Sequence, residues 1–452
     1  MSVDRCGAGR GQTRLAEISG SVSALELSRS RLRTQELRRN GMKGKVSVIV
    51  VSGFVGAGKT TVLRRLVSGL NPARTAVITN DLSGLTGEIE SFGGEHYLRG
   101  EALVELTAEC TRCSLRQHVA EAIVRLSGFG RYDTILIENS GSTDPLLIAN
   151  LFETDETEEV AVSAVARLDH LVTVVDAERF WEDYESGATL RERGLGTGPD
   201  DARTLAELLA DQLECSTTLV LNKCDRVTPA ERQRLERFLW QVNPDAGYLA
   251  VSLGDLDSPF LETTRSHDRA SQDITPGWMH LLSGTSLSED EHDTETFVYR
   301  AKRPFHPLRF WLLMQEEWPG VLRSKGYFWV ASQPKTCYMW SQAGANCLYE
   351  RLGRWWVAIP DRHWPKGEGA LDELRKVWDL EFGDRRIELA FIGEEIDRVD
   401  LKRRLDACLL TRAELALDEE LWRAFRDPFK KPTWEKRHMR SERHDLLPEE
   451  EG

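Results

Sequence analysis

No stretch of this chain approaches the roughly eighteen consecutive apolar residues that would cross a bilayer. Its start also lacks the short apolar core and small-residue cleavage site of a secretory leader. Cysteine is scarce, eight in 452 residues, which is too thin for a disulfide framework. Basic charge is not in excess either. Lys and Arg number 59 against 73 Asp and Glu, a net charge of -14, the opposite of a nucleic-acid binder's footprint. No internal repeat is present. These absences lead to an expectation of a cytoplasmic protein with no membrane or nucleic-acid partner. In a reducing compartment, paired cysteines read as metal or redox chemistry.

What is present is an apolar framework, 40% of the residues, on a chain long enough for two or three domains. Residues 1–44 are rich in Ser, Arg and Gly and read as a disordered extension, with Met42 an alternative start. Asp4, Glu17, Glu26 and Glu36 argue against a transit peptide, which is acid-poor. From Lys45 the pattern becomes strand, turn and helix, repeated. "VSVIVVS" (46–52), "TAVIT" (75–79), "DTILIE" (133–138), "LVTVVDA" (171–177) and "TTLVLN" (217–222) are β-branched runs suited to strands buried on both faces. Amphipathic stretches at 59–69, 114–127, 203–214 and 229–240 read as the intervening helices, and 248–252 as a further strand. The expected fold class is α/β, a parallel sheet covered by helices on both faces over residues 45–262. Residues 263–295, with "SEDEHD", read as an acidic linker. A smaller, Trp-rich α+β domain is expected over 296–411, with a late strand at 385–393, and a charged, fraying tail over 412–452.

"GFVGAGKTT" (Gly53 to Thr61) follows the first strand and opens a helix, the context that a P-loop requires. Gly53, Gly56, Ala57 and Gly58 would curl backbone N–H groups around phosphate oxygens. Lys59 would reach the outer phosphates, Thr60 would offer its hydroxyl to Mg²⁺, and Thr61 continues the helix start. "LNKCD" ends a later strand and fits N-K-x-D. The Asp225 carboxylate could accept two hydrogen bonds from guanine N1–H and its amine, donors that adenine lacks. Asn222 would touch the base edge and loop, and the Lys223 stem would lie along the base. Such a polar site rejects ligands that leave its groups unpaired. "ILIENSGSTDP" (135–145) supplies a carboxylate, Glu138, for Mg²⁺, and Gly141, whose N–H is placed to sense a γ-phosphate. A switch of this kind orders with the γ-phosphate and relaxes after hydrolysis. Asp81, in "NDLSG", belongs to the expected second switch. No arginine finger is evident, so turnover is expected to be slow. A P-loop kinase or ATPase is the rival reading of these motifs.

Together, "GFVGAGKTT", "ENSGSTDP" and "LNKCD", with a cysteine motif between the first two, resemble the CobW-like family of metal-handling P-loop GTPases, in its zinc-chaperone branch. "ARLDHLVTVVDA" (166–177), "FVYRAKRPFHPLRFW" (297–311), "GVLRSKGYFWVAS" (320–332) and "FGDRRIELAFIG" (382–393) extend the likeness over about residues 46–410. The resemblance implies GTP hydrolysis with Mg²⁺ and the binding of a divalent transition metal, usually zinc. That metal would be passed to a client metalloprotein or would support zinc supply. The family's metal motif is C-x-C-C preceded by Gly. Here the aligned residues are Glu109, Cys110, Thr111, Arg112 and Cys113, so Arg112 replaces the middle cysteine. Two thiolates three apart can face one Zn²⁺, but a tetrahedral site needs two more ligands. Glu101, Glu105, Glu109, His118 and Asp81 are candidates, none singled out by spacing. Three roles stay open for Cys110 and Cys113: an altered metal site, a redox dithiol, or no metal role. In the last case the chain would be a GTP-gated interaction module. His306, in "PFHP", reads as a packed or capping histidine, and the Trp cluster as the second domain's core.

Overall fold

The computed structural model describes residues 44–79, 89–92, 95–98, 101–105, 112–152, 162–196, 201, 203–254, 275–284, 295–365 and 367–430. Two compact units result, the first from Met1–Val51, Thr60–Asn139 and Pro145–Leu171, the second from Ser52–Lys59, Ser140–Asp144 and Val172–Gly452.

In the first unit the strands are β1 (Val46–Ser52), β2 (Thr75–Thr79), β3 (Ile89–Phe92), β4 (Glu95–Leu98), β5 (Glu101–Glu105) and β6 (Thr134–Glu138). They run in the order β3-β4-β5-β2-β6-β1. Pairs β1–β6, β2–β6 and β2–β5 are parallel, as the β-branched runs require. The β3–β4 and β4–β5 pairs are antiparallel, so the sheet carries a hairpin edge that the alternating pattern did not announce. The helices Lys59–Gly69 and Arg112–Gly128 coincide closely with the expected ones. Val62, Leu63 and Leu66 form the buried stripe of the first, and Val119, Ile123 and Leu126 that of the second.

The strands of the second unit's first sheet are β7 (Ala166–Asp176), which enters the unit at Val172, β8 (Thr218–Asn222) and β9 (Gly247–Ala250), all parallel. Helices Leu205–Glu214 and Pro229–Val242 each start at a capping box, Thr204 with Glu207 and Thr228 with Glu231. Each box satisfies otherwise orphaned N–H groups and fixes the helix start. A separate antiparallel sheet follows, from β10 (Glu295–Ala301), β11 (Val321–Phe328), β12 (Thr336–Ala343), β13 (Asn346–Arg354) and β14 (Ile387–Gly393), in the order β10-β14-β11-β12-β13. Its core holds Phe305, Phe310, Phe328, Trp329, Trp340 and Phe391, all fully buried. Aromatic side chains bury more area than any others, which makes this cluster the main source of the sheet's stability. Trp311 and Trp355 join it, and Trp318 packs against it partly buried, whereas Trp356 stays outside this core.

Two expectations need correction. The region expected to be a linker contains the helix Gly277–Ser283, with Trp278 buried and its ring 6.0 Å from that of Tyr327. The tail does not fray directly after Arg412. Helices Arg412–Leu415 and Glu419–Trp422 place Trp422, and a turn places Phe429, in the C-terminal core. The sparse apolar residues of this tail are large aromatics, so a few contacts suffice to order a highly charged segment.

One ion pair pins that segment. Arg309 grips Glu414 with two nitrogens, each at 2.8 Å, while Thr411 N–H donates to the same carboxylate at 2.7 Å. The Arg309 hydrogen bonds, against the opposing effect of burial, hold the Glu414 carboxyl down at about 2. The folded value lies below the ordinary 4.5, so this stability is present above pH 4.5 and is lost as pH falls toward 2. Allowing for solvent screening, the pair is worth on the order of 1–2 kcal/mol. Glu414→Gln is expected to lower stability at neutral pH by about that amount and to flatten the acid limb. Denaturant titrations across pH check this, and an unchanged acid limb would refute it.

Candidate functional site

The second unit holds the Gly53–Lys59 loop together with β7 and β8. Ala57 N–H donates to Phe54 O at 3.2 Å, which closes the turn. Lys59 Nζ also donates to Phe54 O, at 3.1 Å, so the lysine folds back over its own loop. Asn222, 3% exposed at the end of β8, spends its whole amide on protein. Its Nδ2 donates to Ala57 O at 2.9 Å, and its Oδ1 accepts from Gly254 N–H at 2.9 Å. It therefore braces the phosphate loop against the loop after β9. Gly58 has φ +98°, and a Cβ there would sit 2.4 Å from Asn222 Nδ2. Only glycine fits both the backbone and the brace.

Beyond Asn222 the chain turns sharply. Lys223 adopts φ 63°, the left-handed region that non-glycine residues rarely enter. Its Nζ pairs with Asp176 Oδ2 at 2.5 Å, at the paired end of β7. That partner, missed from the sequence, holds the lysine stem flat. Asp225 follows in the short turn Cys224–Arg226 with its side chain exposed.

The segment Ser140–Asp144 lies in the same unit. Gly141 passes so close to the phosphate loop that a Cβ would meet Val55 N at 2.6 Å. Gln212 Nε2 donates to Gly141 O at 3.3 Å, and Arg203 Nη1 to Ser142 O at 3.4 Å. Neither residue was singled out beforehand. The available signal for Gln212 was a polar residue in the otherwise apolar face of "LAELLADQLE".

The first unit holds a second cluster. Thr60 Oγ1 donates to Glu138 Oε1 at 2.6 Å, and Thr79 Oγ1 to Glu138 Oε2 at 2.9 Å. Glu138 is 8% exposed, so these hydroxyls offset much of the cost of burying a carboxylate. Strands β2, β5 and β6 all run toward this edge, with Thr79 in register with Glu105 and Ile78 with Ile137. Thr61 follows in the helix. Asp81 and Cys110 lie outside the described residues. Cys113 is in the helix Arg112–Gly128. Among the described residues, no cluster of three or more His, Cys, Asp or Glu could hold a metal. His306 caps a helix, accepting Arg309 N–H on Nδ1 at 3.4 Å, and burial, then Arg309, lowers its pKa. Cys347 and Cys408 are buried, and burial raises the thiol pKa of Cys215, Cys337 and Cys408, which makes them poor thiolates.

Residues 47–250 match the family model described as CobW/HypB/UreG, nucleotide-binding domain, and residues 294–409 match the cobalamin synthesis protein CobW C-terminal domain. A protein of Dictyostelium discoideum named zinc-regulated GTPase metalloprotein activator 1 is 33% identical over 400 residues, covering 85% of this chain and 84% of its own length. The chain belongs to the CobW/HypB/UreG family. It is a P-loop GTPase. Zinc chaperone CobW of Sinorhizobium is 32% identical over 194 residues, 41% of this chain and 52% of that protein. Among solved structures, the Zn(II)-bound YjiA GTPase of E. coli is 17% identical and matches 81% of this chain and 100% of its own, with a TM-score of 0.38. No helix among the described residues is long and apolar enough to cross a membrane.

The Asn222 brace yields a prediction for this member of the family. Gly58→Ala forces a strained backbone and displaces the Asn222 amide, a cost of about 1–3 kcal/mol, or roughly 5- to 150-fold in nucleotide affinity. Titration with a fluorescent guanine nucleotide measures it. Affinity within about twofold of the parent would remove Asn222 as the brace.

Proposed function

We propose that this GTPase is a metallochaperone. It binds a divalent transition metal, zinc foremost, and uses the GTP cycle to release it to a client metalloprotein. One observation carries this reading. The strand β5, after which the cysteine segment begins, lies parallel to β2 and ends level with Thr79, whose hydroxyl bonds Glu138. The helix Arg112–Gly128, which includes Cys113, leads on to β6 and Glu138. On this connectivity we infer that the thiols approach the carboxyl edge of the sheet, where α/β proteins hold their ligands. The names of the zinc-handling relatives point the same way.

In this reading the Gly53–Lys59 loop wraps the GTP phosphates, Lys59 turning from Phe54 O to the outer phosphates. Asp225 reads guanine over the Lys223 stem, and Asn222 fixes the loop. Thr60 and Glu138 offer two hard oxygens 2.6 Å apart, a donor set that fits Mg²⁺, which keeps several waters and takes few protein ligands. When bound, Mg²⁺ would neutralise phosphate charge. Hydrolysis then rests on positioning and charge, with Gly141 N–H beside the γ-phosphate. Cys110 and Cys113 supply thiolates to the cargo metal. Arg112, adjacent in sequence, opposes a dication, so the site binds zinc more weakly than three thiolates would.

Zinc and cobalt titrations against a competing chelator test the cycle. Affinity is expected to differ by about fivefold or more between GTP- and GDP-loaded protein, and to fall on Cys110→Ser or Cys113→Ser. Equal affinity in every nucleotide state would leave a GTP-gated interaction module instead. Asp225→Ala is expected to cost guanine discrimination by at least about tenfold while leaving adenine binding weak. If guanine preference survives that change, Asp225 is not the base reader.

A further inference from the structure

The helix Leu205–Glu214 is buried along almost its whole length, yet it includes two buried polar side chains, Gln212 and Glu214. They face different parts of the second unit. Gln212 holds the Gly141 carbonyl and lines a small cavity of about 20 Å³ with Phe54 and Val55 of the phosphate loop. Its own carbonyl is pinned by Thr173 Oγ1 at 3.0 Å and by Ser216 Oγ at 2.6 Å. Just before the helix, Arg203 is locked by Asp201 at 2.9 and 2.7 Å and reaches Ser142 O. The consecutive carbonyls of Gly141 and Ser142 are thus both held from this one segment. The switch cannot shift without breaking a grip or moving the helix.

Glu214 faces the C-terminal sheet. Arg323 Nε donates to its Oε1 at 2.7 Å and Lys325 Nζ to its Oε2 at 2.8 Å, both from β11. Arg323 is 1% exposed, and its Nη1 also donates to Ser341 Oγ at 2.9 Å and Gln342 O at 3.0 Å on β12. Burial alone would raise the Glu214 pKa, but Arg323 and Lys325 outweigh it and keep the carboxylate charged. Around the triad, Leu322 and Ala343 pack in one core with Ala206, Leu209 and Leu213. Tyr184 donates to Leu322 O at 3.1 Å. A buried charge cluster of this kind has little slack, because a small displacement strands an ion away from its partner.

We propose that the helix Leu205–Glu214 transmits the nucleotide state to the C-terminal sheet, with Gln212 positioning the switch at Gly141 and the Glu214–Arg323–Lys325 triad anchoring β11 and β12. The proposal rests on the reading of Gly141 as the γ-phosphate sensor. It adds a route by which GTP reaches the domain outside the nucleotide site. Gln212 and Arg203 act through the switch and touch no nucleotide, so they are positioning residues.

The test uses the full chain. Titrations with GDP and a non-hydrolysable GTP analogue come first, then amide hydrogen exchange of Val321–Phe328 and Thr336–Ala343 in each state. In the parent protein, exchange in these strands is expected to differ by about threefold or more between the two nucleotides. Gln212→Leu and Glu214→Gln are expected to bring that difference within about twofold, and Gln212→Leu also to narrow the ratio of GTP-analogue to GDP affinity. A residue that merely supported the fold would weaken both nucleotides equally and leave the ratio alone. Should Glu214→Gln unfold the protein, Lys325→Met keeps the Arg323 pair and serves the same purpose. Exchange in Ser140–Asp144 that responds to nucleotide while β11 and β12 do not would overturn the coupling, as would variants that keep the full difference. Absence of any nucleotide binding in the first titration would instead overturn the GTP reading on which it stands.

Discussion

The amide of Asn222 is the smallest group on which the nucleotide-binding half of the second unit depends. It is buried, and each of its two ends meets a backbone partner, Ala57 O and Gly254 N–H. A buried amide left with one unpaired end costs the full desolvation of that end, so the two loops are held together by what they would lose on separating. The brace explains neighbouring choices. Gly58 must lack a Cβ because the amide occupies that space. Lys223 enters the left-handed region because the chain has to reverse directly after a side chain that points back at the loop. Asp176 then takes the lysine ammonium and keeps its stem in line.

A second buried polar group works by contrast with the first. Glu138 is bonded by two hydroxyls, those of Thr60 and Thr79. Glu214, equally buried, has two cations. The difference suits their roles. A carboxylate held by hydroxyls can exchange them for a metal at modest cost, because hydroxyls are themselves acceptors for its water shell. A carboxylate clamped by Arg323 and Lys325 cannot let go without stranding three charges, a loss of roughly 3–5 kcal/mol.

The parallel strands could be read from sequence because burial on both faces leaves a continuous β-branched run, and "VSVIVVS" and "TLVLN" have no other economical use. The P-loop could be read because its glycines and lysine fall at fixed offsets from a strand and a helix. The hairpin β3–β4 was not visible, since strands of four residues at a sheet edge have no long apolar period. The tail was misjudged because composition averages over residues. Two aromatics, Trp422 and Phe429, order a stretch whose remaining residues are mostly charged. Gln212 and Arg203 were invisible for another reason. Their partners are backbone carbonyls some 61 to 71 residues away, and a carbonyl carries no sequence label.

The cysteine segment shows where sequence and fold each stop. Sequence supplies two thiols and a cation, Cys110, Cys113 and Arg112, and cannot say which prevails. The fold adds that β5, before the segment, and β6, after it, flank β2 in one parallel array. Nucleotide dependence of zinc affinity is what separates a tuned release step from a lost ligand at Arg112.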